Sequence, residues 1–301
     1  MNTSDILDMG RSGLNDLQGH QFDLISIAKP DHLGLALSLI KIVSKLSPLV
    51  GNLIEHEVCD YLNTIPSFQK LGKWKRQDPD FPDAIFDSSI TPTPGFEIKA
   101  WFPLATEITA RFKESQKYFV EDNTDLVLLA WLPEHLFYGT PTIVDVVSIP
   151  ASKVAKSRDD HYFNPPDYLV LEPEDTADCT RNLQQSCVNG HKFQGTSAEL
   201  TEAKRRVKSM GSSIEYYSID LPFQEELQEL FGTYRYRLDT NFAKIDRIEN
   251  PDIENFKAKV LDSTIHGRTI NAWSKLFANA SKQELATILE TEFGVSKGAS
   301  D

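Results

Sequence analysis

The segment Asp78–Trp101, DPDFPDAIFDSSITPTPGFEIKAW, sets charged residues inside a pattern that otherwise reads as buried strand. Glu97 and Lys99 interrupt the apolar run of Phe96, Ile98, Ala100 and Trp101. Residues two apart in a strand share a face, so Glu97 and Lys99 point to one side and Phe96, Ile98 and Ala100 to the other. A carboxylate and an ammonium on an inner strand are costly to bury unless they pair or meet a metal. A half-exposed strand carrying a surface ion pair satisfies the same pattern. A second Glu-x-Lys, Glu202-Ala203-Lys204, falls on a basic helical stretch, and only the first lies on a strand.

The upstream residues narrow the reading. Pro-Asp pairs end at Asp31, Asp80, Asp83, Asp167 and Asp252, so the dipeptide alone says little. Asp80 and Asp83 precede Glu97 by a short hairpin, and only Asp83 opens an apolar strand. An aspartate at the start of one strand can face a glutamate and a lysine in the middle of the next. Two hard oxygen ligands and one ammonium then surround a single point, as hydrated Mg²⁺ and a scissile phosphate require.

The elements that must hold these residues can be read from the rest of the chain. Residues 1–30 are polar and read as a loose arm or a short helix. Apolar spacing from Asp31 to Thr64 is helical, with Pro48 starting a second helix. Strands are expected at Asp83–Asp87, Gly95–Trp101, Asp125–Leu132 and Thr142–Ile149, and another in YLVLEP ending near Glu172. Ala105–Phe119 reads as a helix, AELTEAKRRVKSM as a basic helix and SIEYYSIDL as a strand. The expected class is α/β, a central mixed sheet flanked by helices with a helical C-terminal region. One domain is expected: a catalytic core over 31–175, a polar region over 176–222, a helical extension over 223–294 and a disordered tail over 295–301.

Pro82-Asp83, thirteen intervening residues and Glu97-Ile98-Lys99 together resemble the PD-(D/E)xK motif of the restriction-endonuclease-like nucleases. Members of that family often carry a glutamate on the helix before the first strand. GNLIEHEVCDYL offers Glu55, four residues after Gly51, and Glu57. The wording of EIKAWFPLATEITARFKESQ and NPPDYLVLEPEDTADCTRNLQQSCVNGHKFQG is similar to that of type II restriction endonucleases. The resemblance implies a restriction-endonuclease-like fold and Mg²⁺-dependent cleavage of double-stranded DNA at a specific sequence, leaving 5′-phosphate and 3′-hydroxyl ends. It implies that Asp83 and Glu97 hold the metal, that Lys99 orients or activates the attacking water, and that Glu55 assists. It also implies a homodimer, for which the C-terminal helices are the expected contact, since cutting a symmetric site takes two centres. A structure-specific or repair nuclease of the same fold, and a non-catalytic protein with a structural Glu97–Lys99 pair, remain alternatives.

Base readout falls on the amide-rich stretch holding Arg181, Asn182, Gln184, Gln185, Asn189, His191, Lys192 and Gln194. Arg and Lys suit guanine edges, and Asn and Gln suit adenine. Lys204, Arg205, Arg206 and Lys208, with Lys70, Lys73, Lys75 and Arg76, are candidates for phosphate contact. A solvated loop and a solvated helix face account for the same residues. The net charge of −13 opposes a general nucleic-acid coat and leaves room for a locally basic cleft. Other chemistries fail on spacing. HEVCD has Asp60 where a zincin places its second histidine, Cys179, Cys187 and His191 match no common zinc finger, and Thr196 replaces the lysine of a P-loop after Gly190 and Gly195. Three scattered cysteines, no secretory signal and no apolar run that Lys41, Lys45 or Pro48 leaves unbroken lead to the expectation of a cytoplasmic protein without a membrane span.

Overall fold

Helix α1 (Thr3–Asn15) starts at a reciprocal cap, the Asn2 side chain accepting from the Asp5 N–H and the Asp5 carboxylate from the Asn2 N–H. Such a cap answers two of the donors that a helix start leaves unpaired. A computed structural model describes residues 1–23, 25–77, 80–105, 107–172, 189–211, 214–239 and 241–296. They fall into two units, one of Met1–Ala110, Asn123–Ile149 and Pro251–Asp301, the other of Arg111–Asp122 and Pro150–Asn250.

In the first unit the expected arm is a packed element. Ile6, Leu7 and Leu14 of α1 are buried, and farther along Gln21 and Ile27 bridge to Thr142 and Gly139. Helix α2 (Leu33–Ile42) runs through a 3-10 turn at Val43–Leu46 into α3 (Ser47–Thr64), with Pro48 in the first turn of α3 as expected. The run Leu33–Thr64 is long and apolar enough, by length and composition, to cross a bilayer. Its Ile54, Val58 and Leu62 are fully buried in the core of the unit.

Strands β1 (Lys73–Arg76), β2 (Ala84–Asp87), β3 (Gly95–Trp101), β4 (Thr124–Pro133) and β5 (Pro141–Pro150) form one five-stranded sheet in that order. β1 with β2 and β2 with β3 are antiparallel, whereas β3 with β4 is parallel, so the sheet is mixed. β4 is buried along its whole length, as its unbroken apolar run requires. Arg11 of α1 reaches the buried Asp125 of β4 through two bonds of 2.5 and 2.8 Å, and Ser148 of β5 donates to the same carboxylate at 2.9 Å. α3 packs along β1 and β3.

The second unit holds α4 (Ala151–Tyr162), β6 (Tyr168–Leu171), β7 (Asn189–Phe193), α5 (Ser197–Ser209), α6 (Leu221–Thr233) and β8 (Tyr236–Asp239). The strands make an antiparallel sheet in the order β6, β7, β8, backed by Ile214, Phe223, Leu227 and Leu230. Arg158 is 1% exposed and bonds Asp159, Glu172 and the Lys113 carbonyl. The chain then returns to the first unit with α7 (Pro251–Asp262), the short strands β9 (Thr264–Ile265) and β10 (Arg268–Thr269), α8 (Ile270–Asn279) and α9 (Lys282–Phe293).

Some expectations are corrected. Ala105–Phe119 is no helix, apart from a 3-10 turn at Gln116–Phe119. Its helical spacing of Ile108, Phe112, Ser115 and Phe119 is real, and all four are buried, but the backbone bonds elsewhere: Phe112 N–H to Ala243 and Gln116 N–H to Asp159. Residues 214–220 form no strand, because Ile214 and Tyr217 pack into the same core at a spacing of three. The helical region from Phe223 is interrupted by β8. Val295 is buried and Ser296 bonds Leu33 and Asp31, so the packed chain continues past the expected start of the tail.

Glu114 of the second unit has its pKa pushed up to about 7, by burial first and by neighbouring Glu172 second. Between its ordinary pKa and 7 the folded chain binds a proton that the unfolded chain has lost, so this group's contribution makes stability fall as pH rises through that window. Glu114→Gln is expected to raise the denaturation midpoint above pH 7 and to leave it unchanged near pH 4, as followed by urea unfolding across pH.

Candidate active site

Register assembles the site. Ala84 pairs with Phe96 and Ile85 with Gly95, so Asp83, one residue before β2, lies across from Glu97. The Ile98 N–H donates to Asp83 Oδ2 at 2.8 Å, and the Asp83 N–H donates to Glu97 Oε2 at 3.2 Å. Strand alternation carries Lys99 to the same side as Glu97. Its Nζ lies 2.6 Å from Glu97 Oε1 and 3.0 Å from Asp83 Oδ2. On the other side Phe96 stacks on Trp74 with ring centroids 4.7 Å apart, and Phe86 and Phe68 extend the aromatic layer.

Glu55 joins from α3. It accepts a backbone hydrogen bond from Ala100 and lies 3.8 Å from Arg76 Nη2 of β1. Glu57, the other candidate, turns to His56 at 3.9 Å. The choice between the two glutamates is therefore set by the helical face. Asp80 is exposed and its N–H bonds the Gln77 carbonyl, while the Gln77 N–H donates to the Asp83 carbonyl at 2.9 Å and steadies the turn before β2.

Three carboxylates, from Asp83, Glu97 and Glu55, thus share a small volume with two cations, Lys99 and Arg76. Burial pushes both the Glu55 and Glu97 carboxyls up to about 7, with Asp83 adding repulsion and Lys99 opposing it. Burial works against the Lys99 ammonium, yet Glu97, Asp83 and Glu55 outweigh it and hold its pKa above the ordinary lysine value. Asp83 and Lys99 keep 16% and 18% of their side-chain surface in solvent, so the cluster is open to a small ligand. Clustered hard oxygens short of positive charge are a donor set that fits a divalent cation such as Mg²⁺.

The other candidates are dispersed. Arg181, Asn182, Gln184 and Gln185 lie outside the described residues, as do Cys179 and Cys187. Asn189 opens β7, on which Lys192 is exposed opposite Arg237. Most of the basic side chains proposed for phosphate are already in ion pairs: Lys204 with Asp167 at 3.4 Å, Arg205 with Glu202 at 2.6 Å, Arg206 with Glu229 at 2.7 Å and Lys75 with Asp87 at 2.5 Å. Lys73 is exposed. The second Glu-x-Lys, on α5, lies on a largely exposed helix face rather than a strand. His56, Glu57 and Asp60 form a further group whose ligand atoms lie within 4.8 Å of one another, at the surface of α3. The role of Arg76 beside Glu55 was hidden in the sequence, where it reads as one more cation of a basic segment; its pairing with Ala84 puts it beside Asp83.

The turn that delivers Asp83 needs Gly95. A Cβ there would come within 2.5 Å of Pro82 Cγ and 3.3 Å of the Ala84 carbonyl. Gly95→Ala is expected to destabilise the fold by about 1–3 kcal/mol through overpacking, seen as a lowered urea midpoint; an unchanged midpoint would show that Pro82 yields freely. Comparison of the chain with protein-family models, with curated proteins and with solved structures finds no match.

Proposed function

We propose that this chain is a metal-dependent endonuclease of the restriction-endonuclease-like kind, cutting double-stranded DNA at a specific sequence. The observation that carries the reading is the convergence of Asp83, Glu97, Lys99 and Glu55, from the start of β2, from β3 and from α3, on one half-buried point. These are the residues the PD-(D/E)xK resemblance picks out, and the mixed five-stranded sheet is compatible with it. Asp83 and Glu97 would hold Mg²⁺, which supplies neutralisation of phosphate charge and a lowered water pKa. Lys99, on the face of Glu97, orients or activates the water, and Glu55 holds the remaining edge of the cluster against β3. Base readout is assigned to the region from Arg181 to Lys192, with Lys73 for phosphate contact.

A second reading is favoured by a specific observation: Lys99 satisfies both carboxylates by itself, as a structural ion pair would. A plasmid digest with and without Mg²⁺ separates the readings. Discrete bands support a site-specific enzyme, a smear a nuclease without sequence preference, and no cleavage the structural pair.

Lys99→Ala is expected to lower single-turnover cleavage by about two to four orders of magnitude with DNA binding largely retained; near wild-type turnover would remove Lys99 from the mechanism. Asp83→Asn is expected to weaken cleavage severely across an Mg²⁺ titration, and Asp80→Asn only mildly, because Asp80 lies outside the cluster. The reverse ranking would move the site upstream.

A further inference from the structure

In the first unit, the loop between β4 and β5 and the turn between β9 and β10 meet at two histidines that the chemistry proposed above does not use. His135 Nδ1 lies 3.3 Å from His266 Nε2, across 131 residues of chain. Both rings are held in place. His135 stacks on Tyr138 with ring centroids 4.6 Å apart, and Leu136, Phe137 and Tyr138 of the same loop are buried. His266 lies against Phe293 of α9 with centroids 5.0 Å apart, and the Trp273 indole N–H donates to the adjoining Ile265 carbonyl at 2.7 Å. Neither ring is sealed off: His266 is exposed, and His135 keeps 34% of its side-chain surface in solvent.

Two imidazole nitrogens facing each other at this distance share either a proton or an ion. On a tetrahedral zinc with bonds of about 2.0–2.1 Å, two nitrogens stand about 3.3–3.4 Å apart. The observed separation is that tetrahedron's edge, reached without moving either loop. The group behind His135 fits the same ligand. Glu134 Oε1 lies 4.0 Å from His135 Nε2, the nitrogen that does not face His266. A metal-bound histidine ordinarily gives its second N–H to a carboxylate, which fixes the tautomer and strengthens the ligating nitrogen. Arg268, the one arginine or lysine of the β9–β10 hairpin, is already held by Glu292 at 2.6 and 3.0 Å. His266 also occupies the left-handed region at φ 47°, followed by Gly267 at 75°. Asparagine and glycine are the usual residues of such a turn, and neither brings a ring nitrogen to His135.

We propose that His135 and His266 form a site for a zinc-class divalent cation, which ties the β4–β5 loop to the β9–β10 turn. Imidazole suits Zn²⁺, Ni²⁺ and Cu²⁺, whereas Mg²⁺ and Ca²⁺ take oxygen ligands. Water completes the coordination, and Glu134 steadies His135 from behind. Because β9 and β10 join α7 to α8, an ion there fastens the C-terminal helices to the sheet. His56, Glu57 and Asp60 are the poorer candidate, since all three lie on one helix and no second element completes the set. Neither His135 nor His266 belongs to the Asp83 cluster, so the two centres stand or fall separately.

Urea unfolding of the full, EDTA-treated chain with and without added Zn²⁺ tests the site. A wild-type midpoint raised at about 0.1 mM Zn²⁺ is expected, because a ligand that binds only the folded state stabilises it. His135→Ala and His266→Asn should each lose the response. Asparagine suits the left-handed turn, so the second variant keeps the fold and removes only the nitrogen. Glu134→Gln should weaken Zn²⁺ affinity about tenfold. Equilibrium dialysis should find one Zn²⁺ per chain fewer in His266→Asn than in the wild type. The same loss is expected in an Asp83→Asn background, where the hard-oxygen cluster no longer contributes. A response equal in the wild type and His266→Asn overturns the proposal, as does one lost only on His56→Ala, which would place the ion on α3. No response in any chain overturns it too, and leaves the rings joined by a hydrogen bond.

Discussion

The pairing of Ala84 with Phe96 decides which side chains of the β2–β3 ladder meet the aromatic core and which meet one another as charges. In this register Phe96 lies on Trp74, and Glu97 and Lys99 come to Asp83. A slip by one residue exchanges the two faces of a strand. It would drive Glu97 and Lys99 into the rings and lose the contacts of Asp83 with both. Apolar burial of Phe96 and Ile98, both fully enclosed, therefore fixes the position of the polar residues between them. The backbone bonds between Asp83 and β3 then hold the aspartate without any further side chain.

Two buried ion clusters in the chain show what separates a candidate site from a structural pair. Arg158, Asp159 and Glu172 in the second unit have side chains only 1–2% exposed, and Arg158 also takes a backbone carbonyl. That arrangement has no opening for a ligand. The Asp83–Glu97–Lys99 cluster is also desolvated, yet part of Asp83 and Lys99 remains in solvent. Buried ion pairs are weak contributors to stability, because desolvation offsets most of their attraction. A cluster that is partly open, short of positive charge and built from hard oxygens is better explained by what it can receive than by what it stabilises.

Much of this was legible from residue spacing. Four strands of the main sheet fall within one residue of their expected ends, because β-branched and aromatic runs bounded by Pro and Gly admit few other readings. The side shared by Glu97 and Lys99 followed from alternation alone. The choice of Glu55 over Glu57 did not, since it depends on where α3 packs against β3. Ala105–Phe119 misled because buried residues recur there at helical intervals while its backbone bonds to distant segments. The pairing of Arg206 on α5 was equally invisible: it meets Glu229, twenty-three residues away. Local pattern reports which residues are buried, and only the fold reports against what.

Helix α3 concentrates these demands in one element. Ile54, Val58 and Leu62 close the core, and Glu55 reaches β3 from the same turns. Leu49 and Leu53 present a second apolar edge. A helix with one partner needs only one apolar stripe, so the high hydropathy of Leu33–Thr64 exceeds what packing on the sheet requires. Lys41 and Lys45 interrupt that hydropathy within the run, and Glu57 and Asp60 beyond Leu53. A bilayer span would be weakened by charges so placed. The core contacts of Ile54 and Val58 therefore fix the height at which Glu55, between them, meets β3.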